Sequence, residues 1–389
     1  MADLLISDLH LGSRSGADLL RSDLLRGPLL ERVAAADRIV LLGDIVELRH
    51  GPAPQALAAA EPFLKALGQA AAGRQVVLCP GNHDHALIAP ALAKRVERGE
   101  QLGLEVWLRG EELTPPLRRI WELLSPAPLA VCYPGLFLRD DVYATHGHYL
   151  DCHVTIPTLE RLGLGAMGRV VGRPLYSLRT PSDYEAVTSP LYTWIDAVAR
   201  QGQTNAALDG SITVRAWHAL GGGDSTHSLP NGGAGRGRTL LGLAGRQALR
   251  RGFPLLVNAL NRAGLGPLKA DISAAELRRA GLRAAGEVAA RLGLGDRYLV
   301  FGHTHRAGPL PHDDPHEWVG PAGTKLVNTG CWTFERAFLR SLPAPRNPYW
   351  PGSCVVVEES GPPRVERLLD DVAWSDLEQA AAAAVGEQV

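Results

Sequence analysis

Five short segments of this sequence carry side chains that bind divalent metals. They are Asp8-Leu9-His10, Gly43-Asp44-Ile45-Val46-Glu47, Gly81-Asn82-His83-Asp84, His146-Gly147-His148 and Gly302-His303-Thr304-His305. Together they offer carboxylates, an amide and imidazoles, and no thiolate. Such a mixed oxygen and nitrogen ligand set suits a pair of divalent first-row metals. Two cations roughly 3.5–4 Å apart can bind the oxygens of a phosphate ester, neutralise its charge and activate a water molecule.

A short apolar run precedes each of the five segments. Residues 4–6, 38–42 and 75–79 are rich in Val, Ile and Leu, and residues 142–144 and 297–301 lead into the last two segments. Runs of this length and composition predict buried strands. Helical patterns at 18–35 and 55–71 lie between the first three, which indicates parallel pairing with right-handed crossovers. The candidate ligands then fall at the carboxyl ends of the strands, where open α/β sheets bind ligands.

The last third of the chain adds further strand patterns. These lie at 325–328, 353–358 and 364–369, and we expect them to complete a second, more antiparallel sheet.

The order and local spacing of the five segments resemble the calcineurin-like metallophosphoesterase superfamily. The resemblance implies an α/β fold, a four-layer α/β/β/α metallophosphoesterase sandwich, here with a helical insertion. It implies hydrolysis of a phosphate ester (a phosphomonoester, a phosphodiester or a pyrophosphate) by metal-activated hydroxide. It also implies two divalent metal ions as cofactors, with manganese expected and iron or zinc as alternatives.

The same resemblance assigns roles to individual residues. Asp44 would bridge the two metals, and the other ligands would be Asp8, His10 and His305 for the first metal and Asn82, His146 and His303 for the second. His83 would be the catalytic imidazole, with Asp84 orienting it. The residues just after the fourth segment are candidates for substrate binding, namely His148, Asp151 and His153. The alternatives are a supporting hydrogen bond for His148 and a helix cap for the stretch that follows it.

Differences from the motifs of individual branches of the superfamily indicate which branch this chain resembles. Purple acid phosphatases place a tyrosine ligand where this chain has Glu47, so an Fe(III)–tyrosinate centre is not expected. Serine/threonine protein phosphatases differ at Glu47-Leu48-Arg49 and at Asp84. The stretch Ser7-Asp8-Leu9-His10-Leu11-Gly12 is similar to the bacterial branch that includes UDP-2,3-diacylglucosamine pyrophosphatase. That likeness is confined to the neighbourhood of the motifs, so it does not transfer a substrate.

The composition of the chain indicates which binding partners and which cellular compartment to expect. The net charge of -1 and the pI of about 6.9 give no global field that would attract nucleic acid. The five cysteines are scattered without metal-binding spacing, which is typical of reduced thiols in a cytoplasmic protein. The sequence has no run of about 20 apolar residues free of charge, and Asp8 lies too near the start for a cleavable signal. We therefore expect a cytoplasmic protein.

Residues 149–296 exceed what the core needs. We expect residues 1–148 and 297–373 to form the metallophosphoesterase core and 374–389 a C-terminal helix or tail. The excess would be a helical cap or a dimerisation insertion, with helices at 182–200, 239–263 and 273–292. The glycine-rich stretch at 221–238 is either a flexible loop or a substrate contact. Both ends of the insertion adjoin ligand segments, and its basic excess suits an amphiphilic or nucleotide-linked phosphate.

Two alternatives to a small-molecule phosphoesterase remain open. One is a cyclic-nucleotide or nucleic-acid phosphodiesterase, for which the neutral pI is unfavourable. The other is a non-catalytic metal-bearing scaffold, against which the His83-Asp84 pair argues. The sequence leaves open the substrate, the native metal, the preference for monoester or diester, and the oligomeric state, including a possible homodimer.

Overall fold

The computed structural model describes residues 2–200, 253–271, 273–339 and 342–386. Its strands are β1 (Asp3–Ile6), β2 (Arg38–Leu41), β3 (Gln75–Leu78), β4 (Glu105–Leu108), β5 (Leu129–Arg139), β6 (Val142–Thr145), β7 (Tyr298–Phe301), β8 (Lys325–Asn328), β9 (Ser353–Val357) and β10 (Arg364–Arg367). Its helices are α1 (Asp23–Ala35), α2 (Ala53–Ala70), α3 (Ala89–Glu97), α4 (Pro115–Leu123), α5 (Leu159–Val170), α6 (Pro181–Arg200), α7 (Ala274–Arg291), α8 (Arg336–Leu339) and α9 (Trp374–Gly386). Residues 253–262 are also helical.

The first sheet has the strand order β10-β9-β1-β2-β3-β5-β4. The central strands β1, β2, β3 and β5 are parallel, as the alternation of strand and helix predicted. Their apolar residues are buried on both faces, which is the usual environment of parallel strands.

The second sheet begins where the first one ends, because β5 belongs to both. Its N-terminal half pairs with β3 and β4, and from Gly135 onward it pairs with β6. The order then continues through β7 to β8, and the last two pairings are parallel. The expectation that the strands near 353–369 complete this sheet is wrong. Strands β9 and β10 instead extend the first sheet, antiparallel to β1, since Leu5 pairs with Val355.

Three apolar clusters hold the layers together. One lies between the two sheets and includes Leu5, Val40, Val300 and Val355. A second packs the outer face of the first sheet against α1, α2 and α4, and a third packs the outer face of the second sheet against α7. This is the four-layer α/β/β/α sandwich that the resemblance implies, and the fold class is confirmed.

The segment expected to be a cap or a dimerisation insertion has two structural parts within the described residues. Helix α7 buries Ala285 and Ala289 with Leu326 of β8, so it belongs to the outer helical layer of the second sheet. Helix α6 lies next to the ends of the first-sheet strands instead, as described below. The glycine-rich stretch and most of the helix expected at 239–263 lie outside the described residues. Among the described helices, none has the length and apolar character needed to cross a membrane.

Helices α2 and α4 approach so closely that a glycine is required between them. A Cβ at Gly68 of α2 would lie 2.5 Å from the carbonyl carbon of Leu124, which follows α4. A Cβ at Gly163 of α5 would make ordinary contacts of 3.4 and 3.5 Å with Leu191.

We therefore expect opposite effects from the same substitution at these two helical glycines. Gly68→Ala should lower the free energy of unfolding by about 1–3 kcal/mol because the added methyl forces the helices apart. Gly163→Ala should leave stability unchanged or raise it by up to about 1 kcal/mol, since alanine favours helix. Denaturant unfolding of both variants tests this pair. A Gly68→Ala protein as stable as the Gly163→Ala protein would contradict the close approach.

Candidate metal centre

The predicted ligands lie together at the carboxyl ends of the strands. Asp8 follows β1, Asp44 follows β2, Asn82 follows β3, His146 follows β6 and His303 follows β7. Parallel strands that end at one edge bring these side chains to a single place. The carboxyl ends of strands from both sheets therefore build one site.

The backbone at this site is strained. Five non-glycine residues of the described chain have left-handed φ angles, and all are predicted metal ligands: Asp8 (54°), His10 (45°), Asp44 (54°), His303 (68°) and His305 (55°). A left-handed conformation costs of order 1–3 kcal/mol per residue and persists where the surroundings enforce it, most often at functional sites. All five of these residues lie within four residues of the end of β1, β2 or β7.

The first group of candidate ligands is Asp8, His10 and His305. Their ligand atoms all lie within 4.8 Å of one another. His305 Nε2 is 3.3 Å from Asp8 Oδ1 and 3.2 Å from His10 Nε2. His10 Nε2 is also 3.8 Å from Asp44 Oδ2, so Asp44 adjoins this group.

The second group is Asp44, His146 and His303, also within 4.8 Å of one another. His146 Nε2 lies 3.2 Å from Asp44 Oδ2. The amide of Asn82 completes the set, since one of its terminal atoms is 3.1 Å from His146 Nε2, 3.1 Å from His303 Nδ1 and 3.3 Å from Asp44 Oδ2. Asp44 therefore stands between the two groups.

Each ligand imidazole uses one nitrogen for a supporting contact and presents the other to the centre. His146 Nδ1 lies 3.0 Å from the carbonyl oxygen of Leu42, and His303 Nε2 lies 3.0 Å from Asp151 Oδ2. His10 Nδ1 lies 3.0 Å from Glu47 Oε2. An N–H donated to such an acceptor fixes the tautomer and leaves the opposite nitrogen with its lone pair. Neutral imidazoles of this kind are good ligands for divalent cations.

The Asn82 amide can adopt two orientations, and they differ in what they require of the site. With its oxygen inward, lone pairs of the amide, Asp44, His146 and His303 point at one place, which a cation satisfies. With its nitrogen inward, the amide donates to those three groups and its oxygen accepts from Arg49 Nη1 at 3.0 Å. Only the orientation with the oxygen inward gives a set of oxygen and nitrogen ligands that fits a divalent cation.

The carboxylates favour positive charge at the centre. Burial opposes ionisation of Asp44, yet the neighbouring His146 and His83 hold its pKa well below the usual range. Burial opposes protonation of His146, yet Asp44 raises the pKa of this imidazole to about 9. Divalent cations bound to neutral imidazoles would supply the positive charge that these pKa values require.

Glu47 supports the imidazole of His83. The Nδ1 atom of His83 is 2.7 Å from Glu47 Oε2, the same oxygen that contacts His10. Burial lowers the pKa of His83 to about 4 against the opposing effect of Glu47, so the ring is neutral at pH 7. His83 lies with His10 and Asp44 in a third group of potential ligand atoms. It is thus close enough to act on a group bound at the centre.

Asp84, expected from the sequence to orient His83, makes no hydrogen bond with that imidazole among the described residues. Its carboxylate instead accepts the backbone N–H groups of Gly81 at 2.6 Å, Ile45 at 2.8 Å and Asp44 at 3.3 Å. The Asp84 side chain thus contacts the backbone of its own turn and of the loop after β2, while the His83 imidazole contacts Glu47. Asp84 therefore links the second and third ligand segments through these hydrogen bonds.

The three candidates for substrate binding have separate environments. Asp151 contacts the ligand His303, as described above. His148 is buried, with Nε2 3.0 Å from the hydroxyl of Tyr133, and its Nδ1 has no hydrogen-bond partner among the described residues. His153 contacts the hydroxyl of Tyr184 at 2.7 Å through Nε2. Asp151 thus contacts a predicted ligand directly, whereas the hydrogen bonds of His148 and His153 within the described residues are with tyrosine hydroxyl groups.

Three residues near the centre were not singled out as site residues from the sequence. Glu47 was noted only as the replacement of a tyrosine, although its spacing from Asp44 could have suggested a nearby role. Arg49 lines a cleft next to His83. Glu185 contacts His85 Nε2 at 3.1 Å, and no motif marks it because it lies on α6, 100 residues further along the chain.

Comparison with known proteins agrees with this site. Residues 4–188 match the family model described as calcineurin-like phosphoesterase. The match includes four of the five ligand segments, and His303 and His305 join them in space although they lie beyond it. A search of curated proteins found no match. Residues 4–188 are thus similar to the calcineurin-like phosphoesterases, a family whose members are metal-dependent phosphoester hydrolases.

Proposed function

We propose that this protein hydrolyses a small phosphorylated substrate at a centre of two divalent cations. Asp44 would lie between the cations, and the remaining ligands are those of the two groups above: Asp8, His10 and His305 for one cation, Asn82, His146 and His303 for the other. The observation that carries the proposal is the convergence of both groups on Asp44.

Manganese is the metal we propose, with iron or zinc as alternatives. The ligands are carboxylates, imidazoles and an amide, and such a set accepts several first-row divalent cations. When bound, two such cations neutralise the phosphoryl oxygens and lower the pKa of a water molecule. A tyrosinate-type iron centre is not proposed, because Glu47 stands where such a centre has its tyrosine and contacts His10 and His83.

His83 would move a proton. With Nδ1–H donated to Glu47, the Nε2 lone pair faces no hydrogen-bond partner among the described residues. A neutral Nε2 can accept a proton from the attacking water and return it to the leaving oxygen. Glu47 would stabilise the imidazolium that exists between these two events, because its carboxylate is buried and ionised, with a pKa that burial raises but His83 and His50 lower well below the usual range.

We also propose that the protein works in a reducing compartment such as the cytoplasm. The five cysteines are all buried and unpaired, as expected from their scattered positions. Buried free thiols of this kind are typical of proteins that are not exposed to an oxidising environment.

The metal content should be two per chain, and it should depend on Asp44. Purified protein supplied with manganese should bind two equivalents, measured by elemental analysis. Asp44→Asn should lose both, because the carboxylate adjoins each ligand group. Asp140→Asn, an exposed position on the β5–β6 turn, serves as the matched control and should keep two. A single equivalent at saturating manganese would rule out the two-metal centre.

Removal of the His83 imidazole should separate catalysis from metal binding. His83→Ala should retain both metals and lose roughly 10²–10⁴-fold in kcat on an aryl phosphate, the usual contribution of a positioned acid or base. His312→Ala removes an exposed imidazole and should leave kcat unchanged. Full activity in the His83→Ala protein would refute the proton-transfer role.

The two acidic residues beside His83 should behave differently from each other. Glu47→Gln should lower kcat and weaken metal binding by roughly 10–100-fold, since it contacts both His83 and a ligand. Asp84→Ala should lower the free energy of unfolding by several kcal/mol, on the order of 1–3 for each of the buried N–H groups it leaves unpaired. Kinetics, metal titration and denaturation of both variants test this division. If Asp84→Ala alters kcat while stability and metal affinity stay normal, Asp84 acts on His83 after all.

A further inference from the structure

A cleft extends from the metal centre between two helices. It encloses about 260 Å³ and begins at His83 and Arg49. One wall is formed by small side chains at and before α3, and the other by α6. The lining residues beyond the centre are Ala86, Ala89, Pro90 and Ala93 on the first wall and Tyr192, Thr193 and Asp196 on the second.

Helix α6 is fixed in place by a buried carboxylate. Glu185 accepts hydrogen bonds from the hydroxyl groups of Tyr149, at 2.8 Å, and of Tyr133. It also contacts His85 Nε2 at 3.1 Å, and His85 itself lines the cleft. A carboxylate with three buried partners cannot leave this position without leaving polar groups unpaired. The cleft is therefore a preformed part of the fold.

Arg49 places a positive charge at the inner end of the cleft. Its side chain is mostly buried, with the residue 8% exposed. The guanidinium lies over the ring of Tyr192, 4.9 Å from the ring centroid, and Nη1 is 3.0 Å from the Asn82 amide. Among the described residues, no carboxylate forms an ion pair with this guanidinium. A buried cation that forms no ion pair within the described residues, held by an aromatic ring beside a metal centre, is arranged to bind an anionic oxygen.

Beyond the charge of Arg49 at its inner end, the cleft is lined mainly by uncharged side chains. Its α3 wall carries methyl groups and a proline ring, whereas the α6 wall presents the ring of Tyr192 together with the polar side chains of Thr193 and Asp196. Arg49 is the one guanidinium or ammonium group that lines it within the described part of the chain. A leaving group with several further negative charges would find no second cation there, whereas an apolar group would bury its surface against both walls.

We propose that this cleft is the leaving-group subsite, that it takes an aromatic or alkyl group, and that Arg49, oriented by the Tyr192 ring, binds a phosphoryl oxygen at its inner end. The inference rests on the proposed phosphoesterase function. It names the class of substrate as a phosphate ester of an apolar alcohol or phenol.

Binding measurements test the subsite without depending on turnover. Calorimetric titration of the manganese-loaded protein would compare phenylphosphonate, methylphosphonate and inorganic phosphate. Phenylphosphonate should bind on the order of tenfold more tightly than methylphosphonate, because its ring is buried in the cleft. Ala93→Phe should fill the cleft and remove that advantage, while the affinity for inorganic phosphate stays the same. Lys94→Phe adds the same ring to α3 at a position outside the cleft lining and should change neither affinity.

The role of Arg49 is tested separately, by the anion affinities of its variants. Arg49→Met should weaken all three anions by a similar factor, and Arg49→Lys should restore part of the loss. Equal affinities of the wild-type protein for phenylphosphonate and methylphosphonate would overturn the subsite, as would an Ala93→Phe protein that keeps the difference. The proposed function fails by a different result: the wild-type protein binds these anions with the expected order but hydrolyses neither phenyl phosphate nor its diester. Absence of any anion binding overturns both.

Discussion

A buried carboxylate needs positive charge around it, and much of this structure serves that need at Asp44. The residue is 2% exposed and lies where strand ends from both sheets meet. Its oxygens lie near the imidazoles of His10 and His146 from distant parts of the chain, and the backbone at Asp44 and at His10 is left-handed. Strain and burial of this size persist only if something at the centre offsets them. Divalent cations bound at the centre would do so.

The sequence predicted the central strands and their ligands because an apolar run followed by metal-binding residues is a local pattern. It did not predict which sheet β9 joins, since pairing with β1 depends on contacts across more than 300 residues. The contact of the His83 imidazole with Glu47, and not with Asp84, has a similar cause. Asp84 is next to His83 in sequence, but the turn after β3 separates their side chains. The contact with Glu47 exists only once β2 and β3 are paired.

The positions of helices α6 and α7 could not be predicted either, although their amphipathic patterns could be recognised. Each has an apolar face, and the sequence indicates that the face is buried without naming the surface that buries it. The structure places α7 on the second sheet and α6 beside the metal centre, where Glu185 holds it. One stretch of chain therefore contributes both to the support of the fold and to the wall of the cleft.

The pairing of β1 with β9 has a consequence for the order of events during synthesis. Asp8 emerges from the ribosome first, but its loop contacts Trp332 and its strand pairs with residues 355–357. His303 and His305 are also made late. Each of the two ligand groups therefore lacks a member until the segment with His303 and His305 has joined the rest. The groups are complete only after long-range contacts have closed, and topologies of this kind fold slowly.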